Sequence, residues 1–329
     1  MIYRIIYLFL IIFLPTVLIS QESFYRPKDQ KAHRYEITSV DWSPDGKYIV
    51  TCSKDSSVKL WNAEAVREIM TFRGHHHQVM AVCFAPNSKQ IASVSRDNNL
   101  KLWEPDSGVV KEWMLDFRKP RQLLFNPDGN VLAVATNMGA ILIDLTNGND
   151  IQLLESPAGM PNSAYSISFS PDGKLLAVGS IFQAQVWDLS SRRIIQKMGE
   201  SDFMKHNIHD AVDDVAFLSD GNTLIIGRDK ETHFFDIKSG KVNKSIQGLV
   251  KDIGLSADGS ILAINHYGAL DVYDTASGDS LRSLDLLRVY IGGISISPDG
   301  SRVAVGLKNG KALIWGAESG RRDWLYPAE

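Results

Sequence analysis

Few residues in this 329-residue chain combine the types and spacing that chemistry requires. The densest imidazole run is His75-His76-His77. Adjacent side chains in a short loop point apart, so the run is a poor chelate for an ion that wants convergent ligands. The other candidate is His206 and His209 with Asp210, in a long polar interval that continues into Asp213-Asp214. These three are the candidate metal ligands. The competing reading makes His209 a displaced loop histidine and the acids a solvated rim, and no further ligand can be placed beside them. Cys52 and Cys83 have no second Cys or His at ligand spacing, so zinc is not indicated. Two buried thiols are expected of them, with a disulfide as the alternative. The chain lacks a Gly-x-Ser-x-Gly elbow, a His-Glu-x-x-His helix and a phosphate-cradling glycine loop. No catalytic residue and no cofactor are therefore predicted.

Charge and composition exclude little. With 35 basic and 38 acidic residues the net charge is -3, which gives no concentrated basic face for nucleic acid. Residues 1–20 stand apart: Arg4, an uncharged run from Ile5 to Leu14, then Pro15 and a stretch ending at Ser20. That is the shape of an export signal, and it predicts a protein outside the cytoplasm. Leu18 sits where a small residue is usual at a cleavage site, so a retained membrane anchor is the alternative. The expected organisation is a leader or anchor over 1–20, a linker over 21–32 and one repeat domain over 33–329.

What must position any site is a repeat. An apolar alternating segment, then Ser-Pro-Asp-Gly or a variant, then a second apolar segment recurs seven times. The turns end at Gly46, Ser88, Gly129, Gly173, Gly221, Gly259 and Gly300, intervals of 42, 41, 44, 48, 38 and 41. Proline cannot donate to a ladder and Asp-Gly accepts a tight turn, so each motif ends one strand and begins its partner. In the second repeat the strands read Val79–Phe84, Gln90–Ser95, Leu100–Trp103 and Val109–Leu115. A four-stranded blade cannot cover its own two apolar faces, whereas seven in a ring cover one another. The predicted fold is all-β, a seven-bladed propeller of four-stranded antiparallel blades, folded as a monomeric ring.

These residues resemble the WD-repeat family. The second repeat carries Gly74-His75, Val79, Val82, Phe84, Ser93, Ser95, Asp97 and Leu102-Trp103; the first carries His33, Trp42, Ser53, Asp55 and Trp61. The resemblance implies a hydrogen-bonded chain inside each of these blades. Its members would be Trp103, Ser95 or Ser93, His75 and Asp97 in the second, and Trp61, Ser53 or Thr51, His33 and Asp55 in the first. Later repeats depart from the pattern. The third is read with Asp144 at the tryptophan place, the fourth keeps Trp187-Asp188, the fifth has Phe235, the sixth Tyr273 and the seventh Trp315-Gly316. Those blades are expected to rely on packing.

Aligning Trp315-Gly316-Ala317-Glu318 with Trp61-Asn62-Ala63-Glu64 supplies the seventh blade with its own outer strand, so closure from the carboxyl end is expected. One face of the ring then gathers Tyr35, Lys54, His76, His77, Arg96, Arg121, Arg228 and Lys308 near the channel. Cations, imidazoles and an aromatic suit an acidic or extended peptide. The predicted function is a non-enzymatic scaffold binding a protein or peptide on that face. The alternative is a metal-dependent hydrolase or lactonase-like propeller with its site in the channel.

Overall fold

The computed structural model describes residues 31–325 except 115–118, 147–149, 155–162, 182, 199–210, 229, 267–268 and 287–288. The export segment and the candidate ligands His206, His209 and Asp210 lie outside the described residues. The described part is all-β: seven four-stranded antiparallel sheets, each built from four consecutive strands.

Within a blade, burial falls from the middle strands outward. In blade two the second strand, Ile91–Ser95, is buried throughout, while the fourth, Val109–Met114, is almost wholly exposed. The hydrophobic clusters straddle neighbouring blades. Val50, Leu60 and Phe72 of blade one pack with Val82, Ile91 and Trp103 of blade two. Each large aliphatic or aromatic side chain taken out of water there contributes about 2 kcal/mol, and only the neighbour makes that burial complete. No blade is a core by itself.

The Ser-Pro-Asp-Gly turn acts twice. Inside a blade, the Ser43 hydroxyl donates to Asp45 at 2.6 Å and accepts the Tyr48 amide at 2.9 Å, while Gly46 takes φ +72°. Ser170-Asp172, Ser256-Asp258 and Ser297-Asp299 repeat the bond. Between blades, the proline of one turn lies on the glycine of the next. A Cβ on Gly129 would stand 3.4 Å from Pro86 Cδ, and one on Gly173 3.4 Å from Pro127 Cδ. The motif that folds each hairpin also sets its distance from the adjacent one.

Closure comes from the carboxyl end. The seventh sheet comprises Ile291–Ile296, Arg302–Leu307, Ala312–Gly316 and Arg322–Trp324, in that order. Its seam with blade one merges Ile37, Trp42 and Trp61 with Ala304, Ile314 and Leu325. The approach is close enough to need glycine: a Cβ on Gly306 would lie 2.5 Å from Ile37 Cγ2.

One expectation is corrected by register. Ile49 pairs with Trp61, Ile91 with Trp103 and Leu132 with Ile143. Ile143, not Asp144, therefore stands at the tryptophan place of blade three, and Asp144 pairs with Val131 one step along. A one-residue offset in a strand moves a side chain to the other face.

Candidate functional site: the channel wall and its charged mouth

In blades one and two a polar chain forms. Trp61 Nε1 donates to Thr51 Oγ1 at 2.9 Å, and Thr51 Oγ1 lies 2.7 Å from His33 Nε2. His33 Nδ1 faces Asp55 Oδ2 at 3.2 Å. Blade two repeats this: Trp103 Nε1 to Ser93 Oγ at 2.8 Å, Ser93 Oγ to His75 Nε2 at 2.8 Å, and His75 Nδ1 to Asp97 Oδ2 at 3.0 Å. With tryptophan donating into the hydroxyl, the hydroxyl proton points at Nε2, and the imidazole carries its own proton on Nδ1. Burial, the largest influence, lowers the pKa of both histidines despite their aspartates. Burial raises the Asp55 carboxyl, but bonds from His33, Ser57 and the Arg34 amide outweigh it and hold the group well below the usual range.

Of the two hydroxyls open in each blade, Thr51 and Ser93 are the members. Ser53 and Ser95 are not: Ser53 accepts the Asp55 amide at 3.1 Å and donates to the Tyr35 carbonyl, and Ser95 does the same with Asp97 and His77. Two residues farther along the strand, they reach the hairpin instead of the indole. In the other blades the register puts Val134, Val178, Ile226, Ile264 and Val305 at the Thr51 place. All five are aliphatic, so none of these blades has the hydroxyl through which a loop histidine would join the chain.

A second set of bonds runs around the channel, at six of the seven seams. At each of the six, a side chain of one inner strand accepts a backbone amide from the next inner strand; at the seam of blades two and three the Cys83 thiol lies toward the Phe125 amide. The pairs are Asp41 with Phe84 at 2.8 Å, Gln122 with Ile167 at 2.6 Å and Ser168 with Phe217 at 3.0 Å. They continue with Asp214 to Ile253 at 2.8 Å, Asp252 to Ile294 at 3.0 Å and Ser295 to Trp42 at 3.1 Å. Two inward positions two residues apart share the task. Where the later one is Leu124, Ala216 or Gly254, the earlier one, Gln122, Asp214 or Asp252, provides the acceptor. Because alternate residues of a strand face the same side, either position reaches the seam.

Three of these acceptors are carboxyls. Burial pushes Asp41 up to about 6 against the bonds it accepts. Asp214 is likewise pushed up to about 6 by burial, and Asp252 well above the ordinary range by burial and the nearby Asp214 carboxyl. Asp214 is only 4% exposed and so is not a solvated rim acid. The signal for Asp41 and Asp252 was a single Asp among the apolar residues of an inner strand, as in Val40-Asp41-Trp42 and Asp252-Ile253; Asp214 follows Asp213 and lacks that signal. Cys52 and Cys83 are free, buried thiols.

The channel ends differ. At the turn side, a space of about 450 Å³ is lined by Pro44, Pro86, Pro127 and Pro171 with Phe125 and Phe169. At the opposite side, a cavity of about 470 Å³ is lined by Arg121, Tyr165, Lys251, Asp213, Tyr290 and Lys308, with Asp41, Asp214 and Asp252 deeper. Arg121 lies over the Tyr165 ring at 4.2 Å, Lys308 over Tyr290 at 5.8 Å, and Lys251 pairs with Asp213 at 2.7 Å. Of the face expected from sequence, Arg121 and Lys308 line this cavity. Arg96 is near enough to Arg121 to add to the lowering that burial imposes on it. Tyr35, under Arg34, and His76 and His77 are exposed beyond it. Lys54 pairs with Glu36, and Arg228 is half-buried at the end of Thr223–Arg228. Among the described residues no group of three or more His, Cys, Asp or Glu is arranged to hold a metal ion.

Seven four-stranded blades, two of them with the tryptophan, hydroxyl, histidine and aspartate chain, define a propeller of the WD-repeat kind. Residues 16–209, more than half of the chain, match the family described as the IFT122 first beta-propeller, and the chain belongs to that family. No curated protein matches the chain.

Proposed function

We propose that the protein is a non-enzymatic interaction scaffold that takes a protein or peptide segment with acidic side chains at the charged mouth of its channel. The observation that carries this reading is the cavity of about 470 Å³ in which Arg121 and Lys308, each beside a tyrosine ring, face solvent. A cation over an aromatic face is held in place without losing its charge, so it meets a carboxylate already oriented. The channel carboxyls suit a wall better than a reaction centre, because the backbone amides of the next blade occupy them. Membership in a propeller family supports the same reading at the level of fold.

Reversing both cations, Arg121→Glu with Lys308→Glu, tests the mouth. Binding to the captured partner should weaken at least about tenfold, a loss of about 1.4 kcal/mol. Undiminished capture by the folded double variant overturns the assignment. We also propose that residues 1–20 direct the chain out of the cytoplasm, as a cleaved leader or a retained anchor. Mass analysis of the mature amino terminus, with fractionation, decides it: an intact amino terminus in the soluble cytoplasmic fraction refutes export.

A further inference from the structure

One ladder position recurs in every blade and carries a side-chain amide in a single one. It is the residue of the second strand directly opposite Ser39, Ala81, Gln122, Ser166, Asp214, Asp252 or Gly293 of the inner strand. In that order its occupants are Cys52, Val94, Ala135, Gly179, Gly227, Asn265 and Gly306. Blades four, five and seven need glycine there, because a Cβ would lie 2.8 Å from Val212, 2.5 Å from Val250 and 2.5 Å from Ile37 of the next blade. The fold asks only for a small or apolar residue at this place. Blade six has an asparagine.

That asparagine is 4% exposed, it lines the cavity of about 470 Å³ at the charged mouth, and its Oδ1 has no hydrogen-bond partner among the described residues. A buried oxygen without a donor is costly, and the other six blades show that folding does not require it. Asp252 stands opposite Asn265 in an antiparallel pair, so both side chains rise from one face of blade six, and both line the cavity. Asp252 Oδ2 takes the Ile294 amide at 3.0 Å, and a carboxylate accepts more than one donor. The depth of the cavity thus offers acceptors. Its rim offers cations, Arg121 over Tyr165 and Lys308 over Tyr290, while Lys251 is held by Asp213 at 2.7 Å and His266 by Asp271 at 2.7 Å.

We propose that Asn265 and Asp252 form the inner end of the mouth's binding site and take the ammonium of a lysine side chain, so that the segment recognised is a lysine flanked by acidic residues. This rests on the reading of the mouth as a site for an acidic segment and adds the residue at its centre. An ammonium brings donors and no acceptor, which is what an unpartnered amide oxygen beside a carboxyl lacks. A metal ion would need a larger set of ligands, and no group of three His, Cys, Asp or Glu among the described residues supplies one. A guanidinium pairs best with both oxygens of a carboxylate at once, and the Ile294 amide already occupies one of them. The compact ammonium fits what remains.

Two synthetic peptides titrated into the full chain test this: acetyl-Glu-Asp-Lys-Asp-Glu-amide, and the same peptide with norleucine in place of lysine. The wild-type chain should bind the lysine peptide at least about tenfold more tightly. In Asn265→Ala, which installs the side chain native at Ala135 of blade three, that preference should fall to near one while the norleucine peptide binds as before. Asp252→Asn, which keeps an oxygen for the Ile294 amide, should also reduce it. Equal affinity of the two peptides for the wild-type chain, with both lost in Arg121→Glu with Lys308→Glu, overturns the lysine site and leaves the mouth standing. A lysine preference that survives Asn265→Ala overturns it too, and the wild-type comparison decides by itself if the variants do not fold. Should neither peptide bind, the mouth reading falls, and n-butylammonium alone decides the inner end: shifted resonances of the Asn265 side-chain amide uphold it, and unmoved ones overturn it.

Discussion

The polar chains inside blades one and two and the carboxyl-bearing wall of the channel both bury ionisable groups, yet they answer protons in opposite directions. In the chains, burial lowers the histidines below 6.5. A group with a depressed folded value contributes stability that is present above its unfolded value and lost as pH falls through it. In the wall, burial raises Asp41 and Asp214 from 3.8 to about 6. The folded state then binds the proton more tightly, so its advantage is complete in acid and disappears as pH climbs toward that value. Between about pH 4 and about 6.5, acidification loosens the interiors of blades one and two while tightening the seam between them and the seam between blades five and six. Burial alone does not fix the sign; the charge of the protonated form does.

The largest expected effect breaks one side of the contrast. Thr51→Val leaves Trp61 Nε1 and His33 Nε2 buried without partners, and unfolding experiments should show a loss of about 3 kcal/mol. The same shape is native at Val178 in blade four, where no histidine waits for a hydroxyl. Asp41→Asn should act in the other direction. It keeps an oxygen for the Phe84 amide at 2.8 Å and removes a buried charge, so stability at neutral pH should hold or rise by about 1–2 kcal/mol. Its unfolding midpoint should also lose the wild-type decline between about pH 4 and about 6. A destabilised Asp41→Asn protein at neutral pH would remove the contrast. Smallest is Asp323→Asn, which breaks the 3.0 Å pair with exposed Arg321 on the outer strand of blade seven. A change of no more than about 0.5 kcal/mol is expected, measured at low and high salt.

The polar chains were legible because His75, Asp97 and Trp103 stand at a repeat's own spacing, and only the choice between Ser93 and Ser95 waited for the strand register. Asp144 was misplaced because the third repeat has no tryptophan to anchor the alignment, and Ile143 carries no distinguishing chemistry. Asp214 was read with its neighbour Asp213 as a rim acid. One of that pair does reach the mouth and bonds Lys251, while the other turns into the seam. Strand alternation predicts that divergence but not which residue goes inward. Of the expected face, Arg121 and Lys308 meet at one cavity although they lie in blades three and seven.

By itself the sequence determined the hairpins, their number and their period, since Ser-Pro-Asp-Gly turns and apolar alternation act within a few residues of chain. Seven such units can hide their faces only by closing on one another, so the ring follows from the count. The tertiary structure alone decided which inward side chain closes each seam. Ser295 and Asp41, 254 positions apart in the chain, meet at 3.1 Å because the last blade lies against the first. The same closure gathers Arg121, Lys251 and Lys308 at the charged mouth. These are properties of distance and burial between segments remote in sequence, and they arise only once the ring is complete.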